Sequence, residues 1–285
     1  MSSFSSTSHA RAPMSEARFR ITAVALVLAL AAACCARGVL AAPLDLTTAQ
    51  WAAAFDHEVD HRLAVPPVDQ ARYIVLLKQA LADAKVEAPG QVVIVIDRSP
   101  QVQAALIVMH SDSDEWLLIG ATAVSTGKIG TFDHFLTPLG VFPHTLVNPD
   151  FRAEGTLNEN HIRGYGRRGM RVYDFGWQQA QRGWGTGAVS QMRLQMHATD
   201  PNVLEARLGN VASEGCIRIP ASLNVFLDMH GLLDAAYEQA FADGDNLWIL
   251  KPGRQTITQP GQYMVIVDSM SKERPAWSPA PKVAR

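Results

Sequence analysis

Five consecutive β-branched residues, Val92-Val93-Ile94-Val95-Ile96, restrict the architecture of this 285-residue chain more than any other stretch. Successive side chains of a strand point to opposite faces, so an unbroken apolar strand is expected to be covered on both sides. The run follows Ala88-Pro89-Gly90, which marks a boundary, and stops at Asp97-Arg98-Ser99-Pro100. Next, Ala104 to Met109 and Trp116 to Val124 flank a polar turn at residues 111–115, the pattern of a hairpin. Further strands are expected at Met192 to His197, Leu247 to Leu250 and Tyr263 to Val267. These segments make the chain mainly β.

Helices are expected at its two ends. Thr47-Thr48-Ala49-Gln50 reads as a capping box opening a helix to about Leu63, where Pro66-Pro67 stops it. A second helix, Val68 to Lys85, carries Ile74, Leu77 and Leu81 on one face. Short helices follow at Pro220 to His230, closed by Gly231, and at Leu232 to Ala242. Residues 148–190 are polar and glycine-rich yet hold Tyr165, Tyr173, Phe175, Trp177 and Trp184 alongside Arg163, Arg167, Arg168, Arg171 and Arg182. A long segment without clear periodicity reads as a functional lid, with an extra hairpin packed on the sheet as the alternative. The tail from Ser271, rich in Pro, Ser and Lys, is expected to be mobile. The domains are therefore a leader at 1–41, a helical segment at 42–90, a main domain at 91–253 with its lid, and a terminal strand and tail at 254–285.

Arg11, Arg18 and Arg20 precede an apolar stretch from Ile21 to Ala33, and small residues around Ala41 follow, the layout of a secretory leader. The stretch is short for a membrane span. Cys34 and Cys35 offer a lipid-attached start instead, and a retained signal anchor is the third option, so membrane attachment through this segment is kept open. The expected location is the periplasm or cell envelope. Cleavage removes four arginines and one glutamate, which leaves 21 basic and 26 acidic side chains and a formal charge of −5. That balance argues against a nucleic-acid partner.

Without the leader one cysteine remains, Cys216, so no intramolecular disulfide is open to it and its chemistry is the better reason for its presence. A nucleophilic cysteine must become thiolate, and His197 on a strand end is the candidate base. Gly215 permits unusual backbone angles, and the N–H groups of Gly215 and Cys216 are candidate donors to an oxyanion. An isolated Cys is as readily a small buried hydrophobe, and an isolated His a satisfied structural residue.

His197 is followed by fifteen residues and then Ser213-Glu214-Gly215-Cys216-Ile217-Arg218. Ahead of them stand Ile94-Val95-Ile96-Asp97, Ser125-Thr126-Gly127-Lys128 and Thr137-Pro138-Leu139-Gly140-Val141-Phe142, and His197 itself opens His197-Ala198-Thr199. In this order, over Val92 to about Pro220, the chain resembles the L,D-transpeptidase family of the YkuD type. The resemblance implies a β-sandwich-like catalytic domain, Cys216 as nucleophile, His197 as base, and Ser213, Gly215 and Arg218 shaping the site. It implies peptidoglycan stem peptides as substrate and neither metal nor organic cofactor. Thr199, Tyr165, Trp177 and Trp184 are candidate substrate contacts.

One position departs from the family pattern: Glu214 stands where a histidine is usual. A carboxylate there disfavours the thiolate unless Arg218 or a lid arginine neutralises it, or it holds the imidazolium of His197, or it points to solvent. Three functions follow from the resemblance. They are cross-linking through a thioester on Cys216, hydrolysis by the same residues as a carboxypeptidase or endopeptidase, and a wall-binding module that has lost turnover. A remote alternative is a zinc peptidase, since His57-Glu58-Val59-Asp60-His61 matches H-E-x-x-H, although the polar neighbours Asp56 and Asp60 suit a solvated face. His144 is a further histidine that the lid brings toward the site in this reading.

Overall fold

The computed structural model describes residues 43–278, 280 and 281. The leader and Cys34 and Cys35 lie outside them. Thirteen regular elements follow in order: α1 (Thr48–Glu58), α2 (Pro67–Ala84), β1 (Gln91–Asp97), β2 (Ala104–His110), β3 (Trp116–Ala123), β4 (Gly140–Pro143), β5 (Phe151–Arg152), β6 (Arg171–Gln181), β7 (Val189–Ala198), β8 (Ile217–Ile219), α3 (Ala221–His230), α4 (Ala235–Ala242) and β9 (Tyr263–Val267). The described residues form a mixed α/β body with few helices and two sheets, ordered β3-β2-β1-β9-β4 and β5-β6-β7-β8. In the first sheet β1 runs parallel to β9 and antiparallel to β2, and in the second β7 runs parallel to β8.

Alternation along β1 sets the layering. Val92, Ile94 and Ile96 pack with Leu194, Met196, Ile217 and Ile219 of the second sheet, while Val93 and Val95 pack with Tyr73, Leu77 and Leu81 of α2. β1 is thus buried on both faces, and each fully buried Val or Ile contributes about 1.5–3 kcal/mol. The buried stripe of α2 is centred on Tyr73, Leu77 and Leu81, with Ile74 at its half-buried edge.

Several boundaries differ from the sequence expectation. The capping box at Thr47 and Gln50 forms, but α1 stops at Glu58 rather than near Leu63, because Val59 turns extended into the core. Leu63 then donates its N–H to the Ala121 carbonyl of β3, at 2.9 Å, so the chain joins the sheet edge. Residues 247–250 form a turn instead of a strand: Trp248 is exposed, and Ile249 and Leu250 pack on Tyr237. No boundary falls at 253, since β9 lies between β1 and β4 in the middle of the first sheet. Residues 271–278 are docked: the Trp277 indole donates to Asp69 at 2.8 Å and meets Tyr73 edge-on, and the Ser278 hydroxyl donates to the Val102 carbonyl.

The lid expected over 148–190 divides. Residues 171–181 and 189–198 are the long hairpin β6–β7, with Tyr173 and Phe175 turned into the core, so this half is the sheet hairpin of the alternative reading. Only the loop from 153 to 170 lies over the outer face of the second sheet. Asp200 anchors it by accepting from the Arg163 N–H at 2.8 Å.

Candidate active site

Cys216 stands one residue ahead of β8, whose register against β7 pairs Met196 with Ile217 and His197 with Arg218. Continued by one step, the register sets Cys216 beside Gln195. Met196, Ile217 and Ile219 turn into the core, so Gln195, His197, Cys216 and Arg218 share the outer face of the sheet. The Cys216 thiol is half-buried; it donates to the Arg193 carbonyl at 3.6 Å and accepts from the Gln195 N–H.

The loop before the thiol is held from three directions. Ser213 Oγ accepts from the Gly215 N–H at 3.1 Å and donates to the Cys216 carbonyl at 2.5 Å. Thr137 Oγ1 accepts from the Gly127 N–H at 2.8 Å and donates to the Gly215 carbonyl at 2.7 Å. Ser125 bridges to Arg218, and Gly127 to Ser213, so the segments around 125–128 and 137–142 both reach the cysteine loop. Gly215 has φ +133°, and a Cβ there would lie 2.8 Å from Met192 Cε and 3.2 Å from Phe135 Cβ. The positive φ strains any other residue here, while the Met192 contact is with the movable end of a flexible side chain. The Gly215 N–H is taken up by Ser213, so it is no oxyanion donor in this arrangement. The Cys216 N–H, which no hydrogen bond of the described residues outside the strand ladders uses, remains for that role.

His197 is 5% exposed, and its Nδ1 lies 2.8 Å from the Ala198 carbonyl. A carbonyl only accepts, so Nδ1 carries the proton and Nε2 is the basic nitrogen. Burial pulls the His197 imidazole down to about 4, with Arg218 adding to the effect and the Ala198 carbonyl opposing it. Burial pushes the Cys216 thiol up to about 11, assisted by Glu214 and Asp174 and opposed by the Gln195 N–H and Arg218. At neutral pH the resting groups are therefore a neutral thiol and a neutral imidazole, not an ion pair.

Glu214 is exposed and its side chain enters no ion pair or hydrogen bond among the described residues. It does not hold His197, because the Ala198 carbonyl occupies the ring position an orienting carboxylate would need. Arg218 is half-buried and donates to the Ala212 carbonyl at 3.1 Å.

Tyr165, from the loop, covers the site. Its ring meets His197 edge-on at 4.7 Å between centroids, and its hydroxyl donates to Gln195 Oε1 at 3.2 Å. Tyr165 is also a wall of a cleft of about 460 Å³ lined by Phe151, Glu154, Thr156 and Gly164. Trp177 is 61% exposed beside the Arg193 guanidinium, on the rim of the thiol. Trp184 packs against Phe135 and Phe132, one layer behind Gly215, rather than facing a substrate. Thr199 is 1% exposed, which removes it from direct contact with a substrate in this conformation. His144 is fully buried, bonded to the Leu233 carbonyl and Asp150, and does not approach the thiol. The site residues that the sequence reading missed are Arg193, Gln195 and Asp174; the alternation Arg193, Gln195, His197 was the available signal.

The zinc reading loses its geometry. Because α1 ends at Glu58, His61 is off the helix at φ +54°, pairing with Glu205 at 3.5 Å, while Glu58 turns to His230 at 3.0 Å. Among the described residues no group of three His, Cys, Asp or Glu side chains is gathered to hold an ion. Nor is any helix of the described residues long and apolar enough to cross a membrane. No protein-family model matches the chain, and no curated protein matches it.

Proposed function

We propose that the protein is a cysteine-dependent acyl transferase of the L,D-transpeptidase type acting on peptidoglycan stem peptides in the cell envelope. The observation that carries this reading is the placement of Cys216 and the Nδ1-protonated His197 on the same face of the β7–β8 ladder, beneath Tyr165. The family-like segments at 125–128 and 137–142 brace the same loop. Cys216 Sγ attacks the carbonyl of the diamino acid in a tetrapeptide stem, and its proton passes to His197 Nε2. The bond to D-alanine breaks, and the same proton leaves on its amine. An amine of a second stem then attacks the thioester, gives its proton to His197, and the sulfur takes that proton back. Water in place of that amine makes the same residues a carboxypeptidase or endopeptidase. The Cys216 N–H faces the developing oxyanion.

A second reading is favoured by the thiol held up at about 11 and by the Tyr165 cover: a wall-binding module without turnover. Product analysis of tetrapeptide wall fragments incubated with the purified protein separates the two. Transfer yields a cross-linked dimer with loss of one D-alanine, and hydrolysis yields a shortened stem. Either product is expected to vanish in Cys216→Ala and to fall by about two to four powers of ten in His197→Ala. Turnover that survives Cys216→Ala contradicts the proposal, and binding without product favours the module.

A further inference from the structure

Asp174 does not touch the thiol, yet it holds the residues that do. On β6 it pairs with Gln195 of β7, and the next pair is Trp177 with Arg193, so the ladder carries a bulge at this point. Gly176, at φ +77°, lies in the bulge and donates its N–H to Asp174 Oδ1 at 2.8 Å. The buried Asp174 carboxylate accepts from Arg193 Nε at 2.9 and 3.0 Å and from Gln195 Nε2 at 2.9 Å. Arg193 lends its carbonyl and Gln195 its N–H to the Cys216 sulfur. The other end of the Gln195 amide, Oε1, accepts from the Tyr165 hydroxyl that covers His197. One carboxylate therefore fixes both main-chain partners of the sulfur and, through a single amide, the loop above it. Bulges beside reactive groups commonly re-aim a side chain in this way.

We propose that Asp174 is a positioning residue that couples the Tyr165 cover to the thiol pocket through Gln195, so that the cover closes only while the Asp174–Gln195–Tyr165 chain is intact. The amide is the reason the coupling works. With Nε2 committed to the carboxylate, Oε1 is aimed at the phenol; without the carboxylate the amide is free to rotate and the phenol loses its acceptor. The inference rests on Cys216 being the reacting group of the proposed function but is independent of the acyl donor.

The test is a double-mutant cycle on the full chain, read by the rate at which iodoacetamide alkylates Cys216 at fixed pH. Tyr165→Phe deletes only the hydroxyl and is expected to raise the rate by about threefold or more in the otherwise unaltered protein. In an Asp174→Ala background, which leaves Gln195 Nε2 without its acceptor on β6, the same change is expected to have no further effect, since the phenol has already lost its partner. The charge removed by Asp174→Ala is common to both arms and drops out of the comparison. Equal factors in the two backgrounds, or no effect of Tyr165→Phe in either, would overturn the coupling. If Asp174→Ala unfolds the chain, Gln195→Leu keeps the Asp174–Arg193 pair and carries the same expectation. Donor capture by Cys216, measured separately, reports on the proposed function alone, so the two can fail independently.

Discussion

Burial dominates the chemistry at the residue scale. Cys216 and His197 lie on the same face of a parallel ladder, but burial moves the thiol up and the imidazole down, so under the proposed function proton transfer is left for the moment of attack rather than completed beforehand. Alkylation of Cys216 is accordingly expected to climb from pH 7 to 10 with no plateau near pH 6, the plateau being the mark of a preformed ion pair. Glu214 acts on this balance only through space. Replacing it by Gln removes a negative charge beside the sulfur and is expected to shift the alkylation profile to lower pH by less than about one unit, because water screens an exposed group. A shift to higher pH would mean that the carboxylate supports the thiolate. Spacing and resemblance single out the cysteine and the histidine, and the structure sets both on one sheet face, whereas nothing in the sequence tells that Glu214 faces solvent. Which group orients His197 depends on a main-chain carbonyl, that of Ala198, and carbonyl direction leaves no trace in side-chain identity.

Elements whose apolar residues keep a clean period were read correctly: α2 from its helical stripe, β1 from its unbroken run, and β2 and β3 from the polar turn between them. β6 reads from sequence as part of a lid because Arg171 and Asp174 interrupt its alternation with buried charge. Both charges are satisfied by partners distant in sequence. Arg171 donates to Asp150 at 2.6 Å and Asp234 at 2.8 Å, and Asp234 also receives Arg254. Burial raises the Asp150 carboxyl, yet His144 and Arg171 outweigh it and hold the group below its usual range. The folded pKa lies under the unfolded one, so this stabilisation is present above about pH 4 and is lost as pH falls through the folded value. His197 works in the same direction: its imidazole is neutral in the fold down to about 4, so stability begins to decline below the unfolded value of about 6.5. Arg171→Met takes the shared guanidinium from two buried carboxylates, leaving Asp150 with His144 and Asp234 with Arg254, and is expected to cost about 3–5 kcal/mol in urea unfolding. A loss under about 1 kcal/mol would show that those carboxylates take up protons or water at little cost.

Across the whole molecule, α2 and the two sheets stack so that the outer face of the second sheet is the one carrying the thiol. The segments flanking the main domain support that stack: β9 fills the middle of the first sheet, α1 adds Trp51 and Phe55 to the core, and Trp277 closes over α2. Composition had marked the tail as mobile because a single aromatic docked on a helix is invisible in a Pro-rich stretch. The central claim is that the thiol on this face forms a covalent acyl bond with a wall stem peptide. Intact-mass measurement of the protein after incubation with a tetrapeptide donor tests it most directly. The account predicts one thioester adduct, mapped to Cys216, lighter than the donor by D-alanine and absent in Cys216→Ala. A donor that binds with no mass gained, or an adduct on another residue, would contradict it.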